Sequence, residues 1–364
     1  MTSDARGILD QAYVRLHETG PEFDGWLSNH GPMAAEAMVR RGRADTVHRW
    51  LDIYVRRLEE FPRGTSPVGA DWREALGNPR RVADWTAYFR GELADQPWRQ
   101  VLDTWWRRLL PGVAAAATHG VIRTGHAVRA LMADGDDAAH VTELAHGLAY
   151  WAARWQPVPG AGTGVSRLSD AAPGQHAEAP APALVLAAVP RIADQTGGIQ
   201  ERLPRVATID GWAGALAAAQ VPPSPEEISS WLTRLTDAAA LRYLEYAHGN
   251  PVMLVHSATA PNAIVRTLPA LSHDLWAPSA AAAWAAAAAL TAIYAPADPA
   301  PAETLPDPPP GPLAAEEIFA RAVEHGDEHV IKFADTAADV YARTGNPRAL
   351  AAAVRAAELI PRSG

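Results

Sequence analysis

Apolar residues recur along most of this chain at the spacing of an α-helix, and few segments alternate as a β-strand does. The first apolar stripe lies within residues 4–18 and consists of Ile8, Leu9, Ala12, Tyr13 and Leu16. Similar stripes predict further helices at residues 45–58, 97–110, 119–132, 138–155 and 225–247. The fold class that this pattern predicts is all-α.

Capping residues and loop composition predict where the helices stop. Asp327 is expected to cap a helix that ends at Gly345, and Asn346-Pro347 is expected to open the last helix. Residues 157–182 are rich in Gly, Ala, Pro and Ser, and residues 296–312 contain eight prolines. Both segments are predicted to be long loops, either linkers or lids. No period typical of a solenoid repeat is visible.

Size and charge narrow the class of protein. With 364 residues and 38.8 kDa, the chain is long enough for one large domain or two fused halves, and we expect one helical-bundle domain over residues 1–364. The net charge of −9 argues against nucleic acid or an anionic membrane as a partner. The absence of cysteine excludes disulfides, thiolate catalysis and cysteine-bound metal clusters. No signal peptide is expected, because no apolar core follows residues 1–6, and the protein is predicted to be cytoplasmic. No membrane span is expected either, because the alanine-rich segment 280–294 is too short.

The chain contains a single lysine, Lys332, and its other basic residues are all arginine. A composition rich in Ala, Arg and Pro indicates pressure that replaces lysine wherever only a positive charge is needed. The remaining lysine is expected to do something that arginine cannot, because an amine can be neutralised by burial and then react. Lys332 follows His329 by three residues, so both side chains share a face of a helix. The alternative is an exposed lysine retained by chance.

The 13 histidines form no compact metal motif such as His-Glu-x-x-His. Four of them stand in helical contexts made of apolar and small residues: His30, His119, His256 and His329. Each alone is more typical of a hydrogen-bonded core or cap histidine. Together they favour a metal site, because helical bundles build such sites from inward side chains on several helices. Arg123 and His126 share the helical face of His119.

The charge of a metal ion would need an anionic ligand. A shell made only of imidazoles leaves a divalent ion uncompensated in a low-dielectric interior, which is unfavourable. No His-x-Asp pair supplies the carboxylate of the usual two-histidine, one-carboxylate iron site. Lys332 offers a solution, because a buried neutral amine can add carbon dioxide and become a carbamate. Arginine cannot undergo this conversion.

Four segments of the chain match the motifs of one known family: Asn29-His30 with the helix that follows, His119-Gly-Val-Ile-Arg123, His256-Ser-Ala-Thr259, and the block from Asp327 to Thr336. With these segments, the chain resembles the questin oxidase-like family, helical oxygenases of polyketide pathways. The resemblance covers residues 29–336, and the last block is the most specific. Fungal members carry a further histidine just after the first Asn-His, where this chain has Gly31-Pro32-Met33, and tend to have histidine at the position of Arg123.

The resemblance implies a mononuclear non-haem Fe(II) bound by His30, His119, His256, His329 and a carboxylated Lys332. It implies an O2-dependent oxygenase that oxidises or opens quinone rings of anthraquinone-type polyketides, with an outcome like a Baeyer–Villiger oxidation. The substrate would be a small aromatic polyketide or quinone, and NADPH is a candidate external reductant. Arg123 and His126, one and two turns after His119, are candidates to steady a developing anion or to shuttle a proton. For Arg123, the alternative is an ordinary salt bridge.

Three other functions remain open from the sequence. Lys332 could form a Schiff base with a carbonyl substrate, which borohydride would trap. A non-catalytic ligand-binding or scaffold protein of the same pathway would have no reason to keep a complete set of metal ligands. A zinc or manganese hydrolase would work without oxygen.

Overall fold

A computed structural model describes residues 3–162, 181–308 and 310–362. This part of the chain contains sixteen α-helices and two short strands, which confirms the all-α prediction. The chain divides into two compact units. The first comprises Met1–Gln156 and Pro269–Leu271, and the second comprises Pro157–Leu268 and Ser272–Gly364. The organisation as one domain over residues 1–364 stays a prediction.

The helices described in the first unit are α1 Ser3–His17, α2 Gly31–Arg40, α3 Val47–Tyr54, α4 Val82–Asp95, α5 Trp98–Leu109, α6 His119–Asp134 and α7 Ala138–Ala153. The apolar stripe of α1 is buried, as its periodicity predicts. Trp85, Phe89 and Trp105 are fully buried, and Trp105 meets the other two rings edge to face. Sequence analysis missed a hairpin before α2, in which β1 Glu22–Phe23 pairs with β2 Leu27–Ser28. Strands of two residues are too short to show alternation.

The helices described in the second unit are α8 Pro182–Ala187, α9 Ile199–Arg202, α10 Trp212–Ala218, α11 Pro225–Tyr246, α12 Pro251–Thr267, α13 Trp276–Tyr294, α14 Ala314–His325, α15 Glu328–Thr344 and α16 Arg348–Leu359. Asp327 caps α15, because its carboxylate accepts hydrogen bonds from the backbone N–H groups of His329 and Val330. Gly345 ends the same helix in the left-handed conformation, with φ of 66°. Both ends confirm the sequence prediction.

Two long loops are predicted, over residues 157–182 and 296–312. In the predicted loop 157–182, residues 163–180 lie outside the described residues. The loop was predicted slightly too long, because α8 already begins at Pro182, where proline is compatible with the first turn. Residues 296–312 are irregular where they are described, apart from one 3-10 turn at Ala302–Thr304.

Helix α13 is both long and apolar. By length and composition alone, His273–Tyr294 would be able to cross a membrane. However, 83% of its apolar window is buried inside the protein, and every residue from Ser279 to Tyr294 is buried. This is the closely packed internal helix that the alanine-rich sequence predicts.

Candidate metal centre

The first unit brings His30 and His119 together. His30 stands directly before α2, and its backbone N–H donates to the Tyr54 hydroxyl at 2.5 Å. His119 is the first residue of α6. Their ring centroids are 4.4 Å apart with an interplanar angle of 86°, and both side chains are buried. A ring nitrogen of His30 lies within 4.8 Å of a ring nitrogen of His119, so the pair is able to share a metal ion.

A strained turn sets the direction of His119. The three residues before it, Ala116, Ala117 and Thr118, have φ angles of 47°, 56° and 73°, a conformation that L-residues rarely adopt. This turn brings the Ala116 carbonyl against Nδ1 of His119. Because a carbonyl only accepts, Nδ1 must donate, and Nε2 of a neutral ring is then left with the lone pair that binds metals.

The second unit brings His256 and His329 together. His256 lies on α12 and His329 in the first turn of α15, and their ring centroids are 5.5 Å apart. A ring nitrogen of His256 lies within 4.8 Å of a ring nitrogen of His329. His256 repeats the arrangement of His119, because its Nδ1 faces the Met253 carbonyl at 3.2 Å. The side chain of Asp327 accepts from the backbone N–H of His329 at 2.8 Å and so fixes the start of the helix that carries this ring.

Lys332 lies one turn after His329 and is almost completely buried, with 1% of its surface exposed. Within the described residues, its Nζ has no hydrogen-bond partner. Burial lowers the pKa of Lys332 to about 7, although the nearby carboxylates of Glu328 and Asp327 act in the opposite direction. An amine with this pKa is substantially neutral at physiological pH. Lys332 is therefore buried, as its isolation in the composition predicts, while its reactivity stays a prediction.

A buried ion cluster holds the two histidine-bearing helices of the second unit in register. Arg266 of α12 donates to both Asp335 and Asp339 of α15 at 2.6 Å. Asn262 donates to Thr336 at 3.2 Å. Thr336 lies 74 residues after Asn262 in the sequence, and Asp339 lies 73 residues after Arg266. Because this offset is nearly constant, α12 and α15 run parallel away from their histidines.

The first unit has an equivalent cluster between α2 and α6. Glu36 is fully buried, and its carboxylate accepts from Arg129 Nε at 2.7 Å and faces His126 Nδ1 at 2.8 Å. Farther along the same helices, Arg40 pairs with Asp134. Burial alone would raise the pKa of Glu36, but Arg129 and His126 outweigh it and hold the pKa far below its usual range. Helices α2 and α6 therefore also run parallel from their histidines.

Comparison with known families adds an independent result. The family model described as Questin oxidase-like matches residues 48–337, which is more than half of the chain. The chain belongs to the questin oxidase-like family. Membership indicates an oxidoreductase, an oxidase of anthraquinone-type pathways. The match includes His119, His256, His329 and Lys332, whereas His30 precedes it. A comparison with curated proteins gives no match.

In this questin oxidase-like protein, Arg123 is held in a buried ion pair. Its Nε and a terminal nitrogen donate to the two oxygens of Glu143 at 2.6 and 2.9 Å. The same carboxylate faces His17 Nε2 at 2.9 Å. These contacts hold the pKa of Glu143 at about 2, although burial acts to raise it. The salt bridge that the sequence left as the alternative for Arg123 is therefore present, while catalytic roles for Arg123 and His126 stay predictions.

Sequence reasoning missed the carboxylates and the arginine that organise both helix pairs. Glu36, Glu143 and Arg266 are isolated charged residues within helices, and no motif or spacing distinguishes them from surface charges. The one sequence signal for such a residue is a charged side chain placed among apolar neighbours. Glu36 lies between Ala34, Ala35 and Ala37 on a helix with a buried apolar surface, where an unpaired charge would be unfavourable.

Proposed function

We propose that this protein is a non-haem iron-dependent oxygenase that oxidises or cleaves a quinone ring of an anthraquinone-type substrate. The observation that carries the proposal is the buried Nζ of Lys332, which has no hydrogen-bond partner among the described residues and lies one turn from His329, the ring that meets His256. A bare amine in this position has no structural function among the described residues. A carbamate on the same nitrogen would give the histidines an anionic neighbour.

The donor set fits such an ion. His30, His119, His256, His329 and a carboxylated Lys332 are proposed as its ligands. Formation of the carbamate joins the Lys332 amine to carbon dioxide through a new N–C bond and releases one proton. Imidazoles favour iron over a hard ion such as Mg²⁺, and the carbamate offsets part of the charge. When bound, Fe(II) supplies the redox chemistry by which dioxygen, the co-substrate, is activated.

The chain's own residues prepare this chemistry. The carbonyls of Ala116 and Met253 orient the rings of His119 and His256. Burial of Lys332 keeps water away from the amine and keeps it neutral enough to take up carbon dioxide. Arg123 and His126 are proposed to steady the developing negative charge and to move a proton. Each is held by a buried carboxylate, which fixes the position of its side chain.

The substrate is a small aromatic polyketide or quinone, and the oxidation resembles a Baeyer–Villiger reaction. NADPH is proposed as an external reductant that prepares the quinone. The burial of α13 supports a protein that works in the cytoplasm rather than across a membrane.

The single lysine makes the carbamate directly testable. Purified protein should contain close to one iron per chain, and Lys332→Arg should lose the iron while its circular dichroism remains unchanged. In protein equilibrated with ¹³C-bicarbonate, NMR should show a carbamate carbon, and Lys332 is the only side chain that can carry it. The matched control is Lys332→Arg, whose spectrum should lack this signal. Retention of iron and activity by Lys332→Arg would reject the proposal.

A neutral buried amine is also what a Schiff-base enzyme needs, and this second function rests on the same lowered pKa of Lys332. Borohydride with a carbonyl substrate would then leave a stable adduct on Lys332, which mass spectrometry would find without competing lysines. The oxygenase proposal predicts no adduct.

A further inference from the structure

The backbone of His30 is held by a side chain from another helix of the first unit. His119 donates its backbone N–H to the Ala116 carbonyl at 3.2 Å, and His329 donates to its cap residue, two positions earlier, at 2.8 Å. Both of these partners are close neighbours in the sequence. His30 instead donates to the hydroxyl of Tyr54, which lies 24 residues farther along the chain. The position of the His30 ring therefore depends on the packing of α3.

The ring of Tyr54 is itself held by two close contacts. Trp50 of the same helix stacks on it, with the ring centroids 4.5 Å apart and the planes at 18°. The guanidinium of Arg57 lies over the Tyr54 ring, with its Cζ 4.1 Å from the centroid, and also 4.7 Å from the ring centroid of Phe23 in β1. Arg57 therefore connects α3 to the hairpin that precedes His30, and the Tyr54 hydroxyl has a defined position.

Asn29 ties down the chain on both sides of His30. Its side-chain nitrogen donates to the Gly20 carbonyl at 3.0 Å, and its side-chain oxygen accepts from the backbone N–H of Gly31 at 2.9 Å. Its own backbone N–H donates to the Pro21 carbonyl at 2.8 Å. A rotation of the peptide between Asn29 and His30 would break buried hydrogen bonds, which is unfavourable.

We propose that Tyr54 is a positioning residue of the metal centre, whose hydroxyl fixes the direction in which His30 presents its ring to the ion. This inference rests on the proposed function. Without the hydroxyl, the His30 N–H loses this acceptor, and the chain is free to turn at His30 towards another one. A small turn of the backbone displaces the ring nitrogens, whereas metal–ligand distances vary by only about 0.2 Å. Tyr54 lies within the part of the chain that matches the family, although His30 does not.

Co(II), titrated into the full-length protein in bicarbonate buffer, measures the affinity of the centre through its visible absorption. Tyr54→Phe retains the ring and its stacking contacts and removes only the hydroxyl. It should weaken Co(II) binding by about 10- to 100-fold, the usual effect of losing a group that orients a metal ligand. Tyr88→Phe is the matched control, since it removes a hydroxyl from α4 of the same unit and should leave the affinity unchanged. Undiminished affinity in Tyr54→Phe, or an equal loss in the control, would overturn the proposal.

A double-mutant cycle separates positioning of His30 from a general loss of stability. In the His30→Ala background, Tyr54→Phe should weaken Co(II) binding no further, because Tyr54 acts through the ring that has been removed. An equal effect of Tyr54→Phe with and without the His30 ring would show that Tyr54 acts by another route and would overturn the proposal.

Hydrogen exchange of the His30 amide, measured without added metal, tests the hydrogen bond itself. Exchange should be faster in Tyr54→Phe than in the parent and unchanged in Tyr88→Phe, and equal exchange in all three proteins would contradict the proposal. Failure of the proposed function is distinguishable. A parent protein that binds no Co(II) would reject the metal centre and this inference with it, whereas a parent that binds Co(II) only as tightly as Tyr54→Phe would reject the role of Tyr54 alone.

Discussion

In each unit, two parallel helices carry a histidine near their N-terminal ends and a buried ion cluster farther along. The first unit uses α2 and α6, with His30 and His119, and the second uses α12 and α15, with His256 and His329. In both, the cluster lies one to three turns beyond the rings. In this arrangement, charged contacts away from the imidazole rings hold the helices in register.

The two clusters have opposite charge at their centres. In the first unit a single carboxylate, Glu36, is surrounded by Arg129, Arg40 and His126. In the second, a single guanidinium, Arg266, lies between Asp335 and Asp339. One central ion is therefore responsible for several contacts in both, but the Glu36 carboxylate is more completely shielded from water than the Arg266 guanidinium. Loss of the central ion should affect the first unit more.

The histidines are also oriented by different means. His329 follows a regular cap at Asp327, whereas His119 follows three residues of left-handed backbone. The second unit additionally carries Lys332, and the described part of the first unit has no lysine at all. The imidazole at the start of a helix is therefore placed by a favourable cap in the second unit and by a strained turn in the first.

The largest expected effect is that of Glu36→Gln. It leaves Arg129, Arg40 and His126 without their shared carboxylate in the interior, which should cost about 3–5 kcal/mol of unfolding free energy. Urea denaturation measures this loss. Glu74→Gln, at an exposed position, is the control and should change stability by less than about 0.5 kcal/mol. A cost for Glu36→Gln as small as that of the control would contradict the central role of this carboxylate.

The next effect is a dependence on pH. The pKa of Glu143 is about 2 in the folded protein against an ordinary 4.5. The ionised Glu143 carboxylate therefore adds about 3 kcal/mol to the free energy of unfolding. This contribution is fully present above pH 4.5 and is lost as the pH falls towards 2. Urea denaturation between these pH values should show stability that falls with acid, and Glu143→Gln should be less stable at neutral pH but lose less on acidification. An unchanged pH slope in the variant would show that Glu143 is not responsible.

Arg266→Gln should cost less, about 2 kcal/mol, because solvent partly screens Asp339 once the guanidinium is gone. Hydrogen exchange should accelerate in α12 and α15 more than in α2 and α6. Arg343→Gln removes a less buried ion pair from the same helix α15 and should cost under about 1 kcal/mol. Equal acceleration in both helix pairs would mean that the two clusters do not stabilise their own helix pairs independently.

The smallest effect concerns the strained turn. Glycine tolerates the left-handed region, so Ala117→Gly should relieve strain that exceeds the entropy cost of glycine, with a net gain of about 0.5 kcal/mol. Ala87→Gly, at an exposed position within α4, should instead lose about 1 kcal/mol. Thermal unfolding of the two variants should therefore shift in opposite directions. A loss for Ala117→Gly equal to that for Ala87→Gly would argue against strain.

The sequence by itself determined the helices, several of their ends and the residues worth examining. Periodicity sufficed for α1, and Asp327 and Gly345 sufficed for the ends of α15, because a helix and its caps depend on residues within one or two turns. The unusual composition alone pointed to Lys332. Its burial was an expectation that the structure confirmed.

Only the tertiary structure decided which side chains meet. Glu36 and His126 are 90 residues apart, and Arg266 and Asp339 are 73 apart, so their pairing follows from how whole helices pack. The same holds for Arg123, whose partner Glu143 lies on the neighbouring helix. A charged residue has the same local pattern whether it faces water or an opposite charge in the interior, because the free energy of a buried charge is set by its surroundings.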